Sequence, residues 1–282
     1  MKVCTTIADL RAALLPLRRS GKSIGLVPTM GYLHVGHMEL VKTSKAHCDI
    51  TVVTIFVNPT QFAANEDLST YPRDLDRDLA MLKTEGADFV FTPDVREMYP
   101  GNEETIVETV KLSKVLMGKI RPGHFRGVAT VCTKLFNIAS PDKAFFGEKD
   151  YQQVAVIKRM VADLNQPLEI IAVPTVREAD GLACSSRNIR LTPEDRKAAV
   201  VLSKSLKRAG ELITSGERNI AAIRKAVLDT LKTEPRGLIE AVDLRDAATL
   251  QQVTGTLSRP LVILLTVKFG SVRLIDNRVY AP

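Results

Sequence analysis

Two histidines, His34 and His37, stand three residues apart around a glycine in "VPTMGYLHVGH" (residues 27–37). The stretch follows an apolar run, "SIGLV", and leads into "MELVKTSKAH", whose apolar residues recur at helical spacing. The expected order is strand, tight loop and helix start, with Gly36 letting a ligand approach the backbone. Both imidazoles then sit at a helix mouth, where backbone N–H groups lack internal partners and the dipole is positive. Such a place binds anions, and this one suits a nucleotide triphosphate. The competing reading is a pair of loop histidines that cap local structure. Zinc fits poorly, because the HExxH pattern spaces its histidines four apart around a glutamate and "HVGH" does neither.

Other polar groups fall in places of the same kind. In "FFGEKDYQQ" (residues 145–153), Lys149 and Asp150 follow a short strand and open a helix. The lysine reaches phosphate oxygens there, while Asp150 caps the helix or accepts from a ribose hydroxyl. Gln152 and Gln153 read equally well as surface residues. "ACSSRN" (residues 183–188) combines two hydroxyls with a guanidinium, a phosphate-binding set or an ordinary turn. "FVNPTQF" (residues 56–62) carries Asn58 and Gln61, neutral groups suited to a hydroxy acid, although Asn-Pro is also a plain turn signal. "RPGHFRGVAT" (residues 121–130) gathers Arg121, His124 and Arg126 ahead of a helix, as an anion site or a charged surface loop.

The elements that must hold these groups alternate along the first 175 residues. "IGLV" precedes a helix over residues 36–47, "ITVVTIFV" reads as a buried parallel strand, and a polar loop, "NPTQFAANEDLSTYP", leads to a helix over residues 73–85. "DFVFT" is the next strand. Phe125, Val128, Val131, Leu135 and Ile138 form a helical stripe, "KAFFG" a strand, Val154, Ile157, Val161 and Leu164 a second stripe, and "LEIIAV" a final strand. Repeated strand–helix–strand units imply an α/β fold with a doubly wound parallel sheet, whose ligands bind beyond the carboxyl ends of the strands. Beyond residue 176 the pattern changes. "LTPEDRK" opens one long helix reaching Ser215, a second covers residues 219–232, and "GLIEAVDL", "PLVILLTVKFG" and "SVRLIDN" read as strands. The expectation is a Rossmann-like domain over residues 1–176 and a smaller α+β domain over 177–282.

Composition narrows the partners. The longest apolar run, "LVILLTV", is too short to span a bilayer, and the first residues lack a signal-peptide core, so a cytoplasmic protein without a membrane partner is expected. Cys4, Cys48, Cys132 and Cys184 are scattered without a CxxC pair, which predicts reduced, buried thiols. The net charge of +7 comes from dispersed basic residues, and aromatics are 5% with no tryptophan, so small anionic substrates are expected rather than nucleic acid.

In their joint order these motifs resemble the pantoate–β-alanine ligase family over almost the full length, from "VPTMGYLHVGH", "IFVNPTQF" and "YPRDL" through "RPGHFRGVAT" and "FFGEKDYQQ" to "GLACSSRN" and "RLIDN". The HxGH element is shared with class I aminoacyl-tRNA synthetases and small nucleotidyltransferases. A synthetase would be expected to carry a lysine-rich KMSKS-type loop and a tRNA-binding domain. "ACSSRN" and a compact C-terminal region argue against that, and a nucleotide-binding module without turnover is the remaining alternative.

The resemblance implies ATP-dependent joining of (R)-pantoate to β-alanine through a pantoyl-adenylate, with Mg²⁺ accompanying ATP and a homodimer as the assembly. It implies ATP contacts from Met30, Gly31, Tyr32, Leu33, His34, Val35, Gly36 and His37, from Gly147, Glu148, Lys149 and Asp150, from Val176, and from Cys184, Ser185, Ser186 and Arg187. Among these, His37 is the expected proton donor, and His34, Lys149 and Arg187 act with it on the phosphates. Gln61 and Gln153 bind pantoate, and Gln61 lies near β-alanine. The Mg²⁺ ligands are not identified by any carboxylate cluster. The family usually has Met or Leu before Ser-Ser-Arg, where this chain has Cys184, whose backbone still serves a nucleotide.

Overall fold

The structure, a computed structural model, describes every residue except Ala64, Asn65 and Asp67, which belong to the polar loop expected after "NPTQF". The chain forms two compact units, Met1–Pro174 and Thr175–Pro282.

In the first unit, six parallel strands lie in the order β1-β4-β3-β2-β5-β6: β1 Lys2–Cys4, β2 Ile24–Thr29, β3 Ile50–Ile55, β4 Phe89–Phe91, β5 Lys143–Gly147 and β6 Glu169–Val173. Its helices are α1 Ile7–Arg19, α2 Val35–His47, α3 Leu75–Glu85, α4 Val95–Met98, α5 Met117–Ile120, α6 His124–Ala139 and α7 Tyr151–Asp163. Side chains of neighbouring strand residues point to opposite faces. Thus Leu26, Val52, Ala144 and Phe146 pack with α1, α6 and α7, while Val27, Val53 and Phe145 pack with α2 and α3. That is the doubly wound arrangement. The sequence reading named neither β1, only three residues long, nor α1 behind it.

The order of strands reverses at β2, which has β3 on one side and β5 on the other. The ladder with β3 runs the full strand, but the ladder with β5 holds only Gly25↔Lys143 and Leu26↔Ala144. The cause lies in the sequence. The Ile24 carbonyl accepts from Asp142 and the Thr29 carbonyl from Phe56 N–H, so alternation turns the backbone of residue 28 towards β5. That residue is Pro28, which has no N–H to give. The two strands therefore part at their carboxyl ends, where a crevice at such a switch point takes ligands.

Helix α2 lies close on this sheet because of one glycine. A Cβ on Gly25 would sit 2.3 Å from Ser44 Oγ and 3.0 Å from the Phe145 ring. The Ser44 hydroxyl is itself buried in a 2.8 Å hydrogen bond with Thr51 Oγ1.

The second unit pairs helices with a three-stranded antiparallel sheet, β7 Gly237–Asp246, β8 Leu261–Phe269 and β9 Val272–Tyr280. The long helix expected from "LTPEDRK" is two helices, α8 Pro193–Ala198 and α9 Val201–Thr214. At the join the Leu202 N–H bonds back three residues to the Ala199 carbonyl, a tighter turn than the α-helix. Helix α10 spans Ile220–Lys232. All four cysteines are buried and free.

Substituting Gly25 tests the seating of α2. Gly25→Ala is expected to destabilise the protein by about 1–3 kcal/mol, the usual cost of overpacking a filled core. Thermal melting checks this, and an unchanged midpoint would show that α2 is free to shift.

Candidate active site

Three loops leave the carboxyl ends of adjacent strands β3, β2 and β5: residues 56–62, 30–34 and 148–150. Counting forward from Leu26↔Ala144 places Thr29 level with Gly147, so the HxGH loop and "GEKD" start from the same edge of the sheet.

The loop before α2 turns through two left-handed residues, Gly31 at φ +79° and Tyr32 at φ +50°. A Cβ at residue 31 would also meet Ile55 Cγ2 at 3.0 Å and Asp78 Oδ2 at 3.1 Å. What holds the turn is the buried Asp78 of α3. Its carboxylate accepts from Tyr32 N–H and Leu33 N–H, each at 2.7 Å. Next to it, Arg77 donates to the Leu33 carbonyl at 2.9 Å and lies over the Tyr32 ring at 5.0 Å. Burial pushes the Asp78 pKa up, while the two backbone N–H groups and Arg77 pull it down; the rise wins. Asp78 is a positioning residue that the sequence reading missed. In "YPRDLDRDL" nothing local separates it from Asp74 and Asp76.

His34 occupies the N-cap of α2 with extended backbone. Its Nδ1 accepts from Gly36 N–H at 3.1 Å, and His37 Nδ1 accepts from His34 N–H at 3.2 Å. A backbone N–H only donates, so neither Nδ1 carries a proton. Each neutral ring therefore bears its hydrogen on Nε2. The rings pack at 4.1 Å between centroids. Burial, then the neighbouring charges of His34 and Lys149, hold the His37 pKa well below the ordinary 6.5. His37 is thus a neutral N–H donor at neutral pH. Of the two rival readings of the sequence, capping is observed, and because it uses Nδ1 it leaves the anion reading a different atom, Nε2.

Lys149 faces Asp150 at 3.9 Å, and its side chain is largely buried. Asp150 precedes α7 but makes no side-chain cap bond to it, which corrects one of its two expected roles. Gln152 is no surface residue. It is buried, donates to the Leu112 and Val115 carbonyls at 2.9 and 2.7 Å, and accepts from Met117 N–H. Gln153, next on α7, is partly exposed.

On the β3 side, Asn58 is buried and spent on the protein. Its Oδ1 accepts from Thr60 and from the Tyr99 hydroxyl at 2.9 Å, and its Nδ2 donates to Gln61 Oε1 at 3.0 Å. The Gln61 amide nitrogen is left pointing at Met30 Sδ, 3.1 Å away.

Val176, Cys184, Ser185, Ser186 and Arg187 lie in the second unit. The Cys184 N–H donates to the Val176 carbonyl at 2.9 Å, closing a hairpin. Arg177 anchors that hairpin with a two-pronged bond to the buried Asp276 of "RLIDN", at 2.8 and 2.9 Å. Ser185 Oγ accepts from Arg187 N–H at 3.2 Å, and Asn188 donates to Glu178 and the Ala183 carbonyl. Among the described residues no three His, Cys, Asp or Glu side chains group closely enough to hold a metal ion, and no helix is long and apolar enough to cross a membrane.

A family model described as pantoate-beta-alanine ligase matches residues 2–279. The chain is 57% identical over 282 residues to pantothenate synthetase of Rhizobium meliloti (strain 1021), covering 100% of this chain and 97% of that one. Among solved structures it is similar to pantothenate synthetase from Thermus thermophilus, with a TM-score of 0.95, 42% identity and both chains fully covered. It is also similar to pantoate-beta-alanine ligase from Francisella tularensis complexed with beta-gamma ATP and beta-alanine, at TM-score 0.80 and 34% identity over 99% of this chain and 97% of that one.

Removing the Asp78 carboxylate leaves two donors without their acceptor. Asp78→Ala is expected to cost about 1–3 kcal/mol per stranded group, and Asp78→Asn less, because one acceptor survives. Melting of the two variants checks the order, and equal stability of Asp78→Ala and parent would contradict it. The histidines give a pH signature. His37 lies well below its ordinary 6.5, and burial and Arg121 lower His124 from 6.5 to about 4. Below pH 6.5 the unfolded chain then binds more protons than the folded one, so stability falls with pH. The melting midpoint of the parent is expected to drop between pH 6.5 and 4, and His124→Asn to shrink that drop. Parallel slopes for the two proteins would contradict it.

Proposed function

The chain belongs to the pantoate–β-alanine ligase family, and on that premise we propose that it joins (R)-pantoate to β-alanine with ATP through a pantoyl-adenylate. It is an enzyme, an acid–amino-acid ligase that forms AMP. The observation that carries the mechanism is the pair of imidazoles whose Nδ1 atoms accept backbone N–H groups, which puts the hydrogen of each neutral ring on Nε2.

A carboxylate is a poor acylating agent at neutral pH, and adenylation supplies the leaving group. A pantoate carboxylate oxygen attacks the α-phosphorus, a P–O bond to the departing pyrophosphate breaks, and negative charge gathers on both. Donors preorganised towards that charge lower the barrier without reorganising during the reaction. His34 and His37 donate through Nε2–H, and Lys149 adds a cation on the same side. We assign Ser185, Ser186 and Arg187 to the triphosphate, Gly147, Glu148 and Asp150 to the nucleoside, and the backbones of Met30 to Gly36, Val176 and Cys184 to framing the nucleotide. Gln61 and Gln153 take pantoate. In the second step the β-alanine amine attacks the acyl carbon and AMP leaves, with Gln61 near the incoming amine.

Burial and its neighbours lower the His37 pKa, so the ring is neutral in the free protein and this reading gives it hydrogen-bond donation as its role. Mg²⁺ fits as a passenger on the phosphates. No protein cage stands ready among the described residues, and both Asp78 oxygens already accept backbone N–H groups. When bound, the ion neutralises phosphate charge. The reading places the reaction in the cytoplasm, in keeping with four free thiols, and takes a homodimer from the family.

Purified protein with ATP, Mg²⁺ and pantoate is expected to release pyrophosphate before β-alanine is added; release that strictly requires β-alanine would refute the adenylate. His37→Ala is expected to slow this half-reaction by about 10²–10³, the loss typical of one transition-state donor, and His37→Gln to recover part of it. Preformed pantoyl-adenylate should bypass the defect. Equal damage to both half-reactions in a folded variant would contradict the assignment.

A further inference from the structure

The segment "RPGHFRG" (residues 121–127) opens α6 and lies directly on the turn that carries Gln61. The approach is backbone to backbone. A Cβ on Gly127 would lie 2.4 Å from the Thr60 carbonyl oxygen and 2.6 Å from Gln61 N, so only glycine fits. The Gly127 carbonyl accepts from Asn58 Nδ2 at 3.2 Å, and the same amide nitrogen holds Gln61 Oε1.

His124 completes this seam. Its Nδ1 stands 2.9 Å from the Gln61 carbonyl oxygen, and a carbonyl only accepts, so Nδ1 carries the hydrogen. Its Nε2 lies 3.4 Å from Arg121 Nη1, and a guanidinium only donates, so Nε2 offers its lone pair. His124 is therefore the opposite tautomer to His34 and His37. Arg121 is fixed in turn by Glu66, with Nε to Oε1 at 2.6 Å and Nη2 to Oε2 at 2.5 Å, both side chains 14% exposed. Arg121 Nη2 also reaches the Gln61 carbonyl at 3.4 Å.

With both ring nitrogens engaged by the protein, His124 is neither an anion ligand nor an acid or base. We propose that His124 and Arg121 are positioning residues that clamp the Gln61 backbone, so that its side-chain amide, steered at Oε1 by Asn58, presents Nε2–H to pantoate. The proposal rests on the assignment of Gln61 to pantoate. Burial and the adjacent guanidinium lower the His124 pKa to about 4, which keeps the ring neutral near pH 7.

The test measures KM for pantoate and for ATP separately in pantoate-dependent ATP–pyrophosphate exchange, with folding followed by circular dichroism. His124→Ala is expected to raise the pantoate KM about tenfold, the order of one lost hydrogen bond, and to leave the ATP KM within about twofold. His124→Asn puts an amide nitrogen where Nδ1 was and should restore most of the affinity, while His124→Gln reaches only the Nε2 position and should not. A parallel rise in both KM values, or Asn no better than Gln, overturns the proposal. Gln61→Ala separates the two layers. An unchanged pantoate KM in that variant refutes the assignment of Gln61 and the clamp with it, whereas a raised KM there beside an unchanged one in His124→Ala refutes the clamp alone. Should the alanine variant fail to fold, imidazole ¹⁵N spectra of the parent decide. Protonated Nδ1 on His124 supports the clamp, and protonated Nε2 overturns it.

Discussion

The proposed chemistry of this chain depends on two backbone N–H groups that point at imidazole nitrogens. At the start of α2 the amides of Gly36 and His34 donate to the Nδ1 atoms of His34 and His37. Helix starts always have unsatisfied donors, and a side-chain acceptor usually answers them. Here the acceptors are rings with a second nitrogen, so the cap at the helix start also decides which ring atom carries the hydrogen. An imidazole free to exchange tautomers would present a donor to phosphate only part of the time. These two present donors in the neutral state, and burial beside Lys149 keeps His37 in it.

Three further features of the first unit support that geometry. Gly25 lets α2 sit down on the sheet, Pro28 parts β2 from β5 at the end where the loops emerge, and Asp78 holds the left-handed turn at Gly31 and Tyr32. A buried carboxylate costs desolvation, and the rise in its pKa registers that cost. Two charge-assisted hydrogen bonds and a neighbouring guanidinium offset much of it. A rigid loop is the return. The hairpin of the second unit follows the same logic, with Asp276 holding Arg177 where Asp78 holds a backbone.

Periodicity made the architecture legible, because a parallel sheet buried on both faces needs continuous apolar strands between amphipathic helices. The HxGH spacing was enough to place two imidazoles at a helix start, and the order of motifs resembled the family to which the chain belongs. What stayed hidden was contact at a distance. Asp78 looks like any helix-opening aspartate until α3 folds against the loop, and Gln152 and Gln153 are indistinguishable until α7 turns one inwards. Asn58 allowed two readings, a ligand group or a turn residue, and the turn reading holds, because its amide is consumed by Thr60, Tyr99, Gln61 and Gly127. The single helix expected from residue 193 breaks in two at a tight turn that no proline or glycine announces.

The central claim concerns protons on two rings, and ¹⁵N spectra of imidazole-labelled protein read them directly. The account predicts that at pH 7 without nucleotide His37 is neutral, and that His34 and His37 both carry hydrogen on Nε2 with unprotonated Nδ1. It predicts the same tautomers with ATP bound, with the Nε2–H resonances shifted by the phosphates. A protonated Nδ1 on either ring, or an imidazolium at His37 in the free protein, would contradict it.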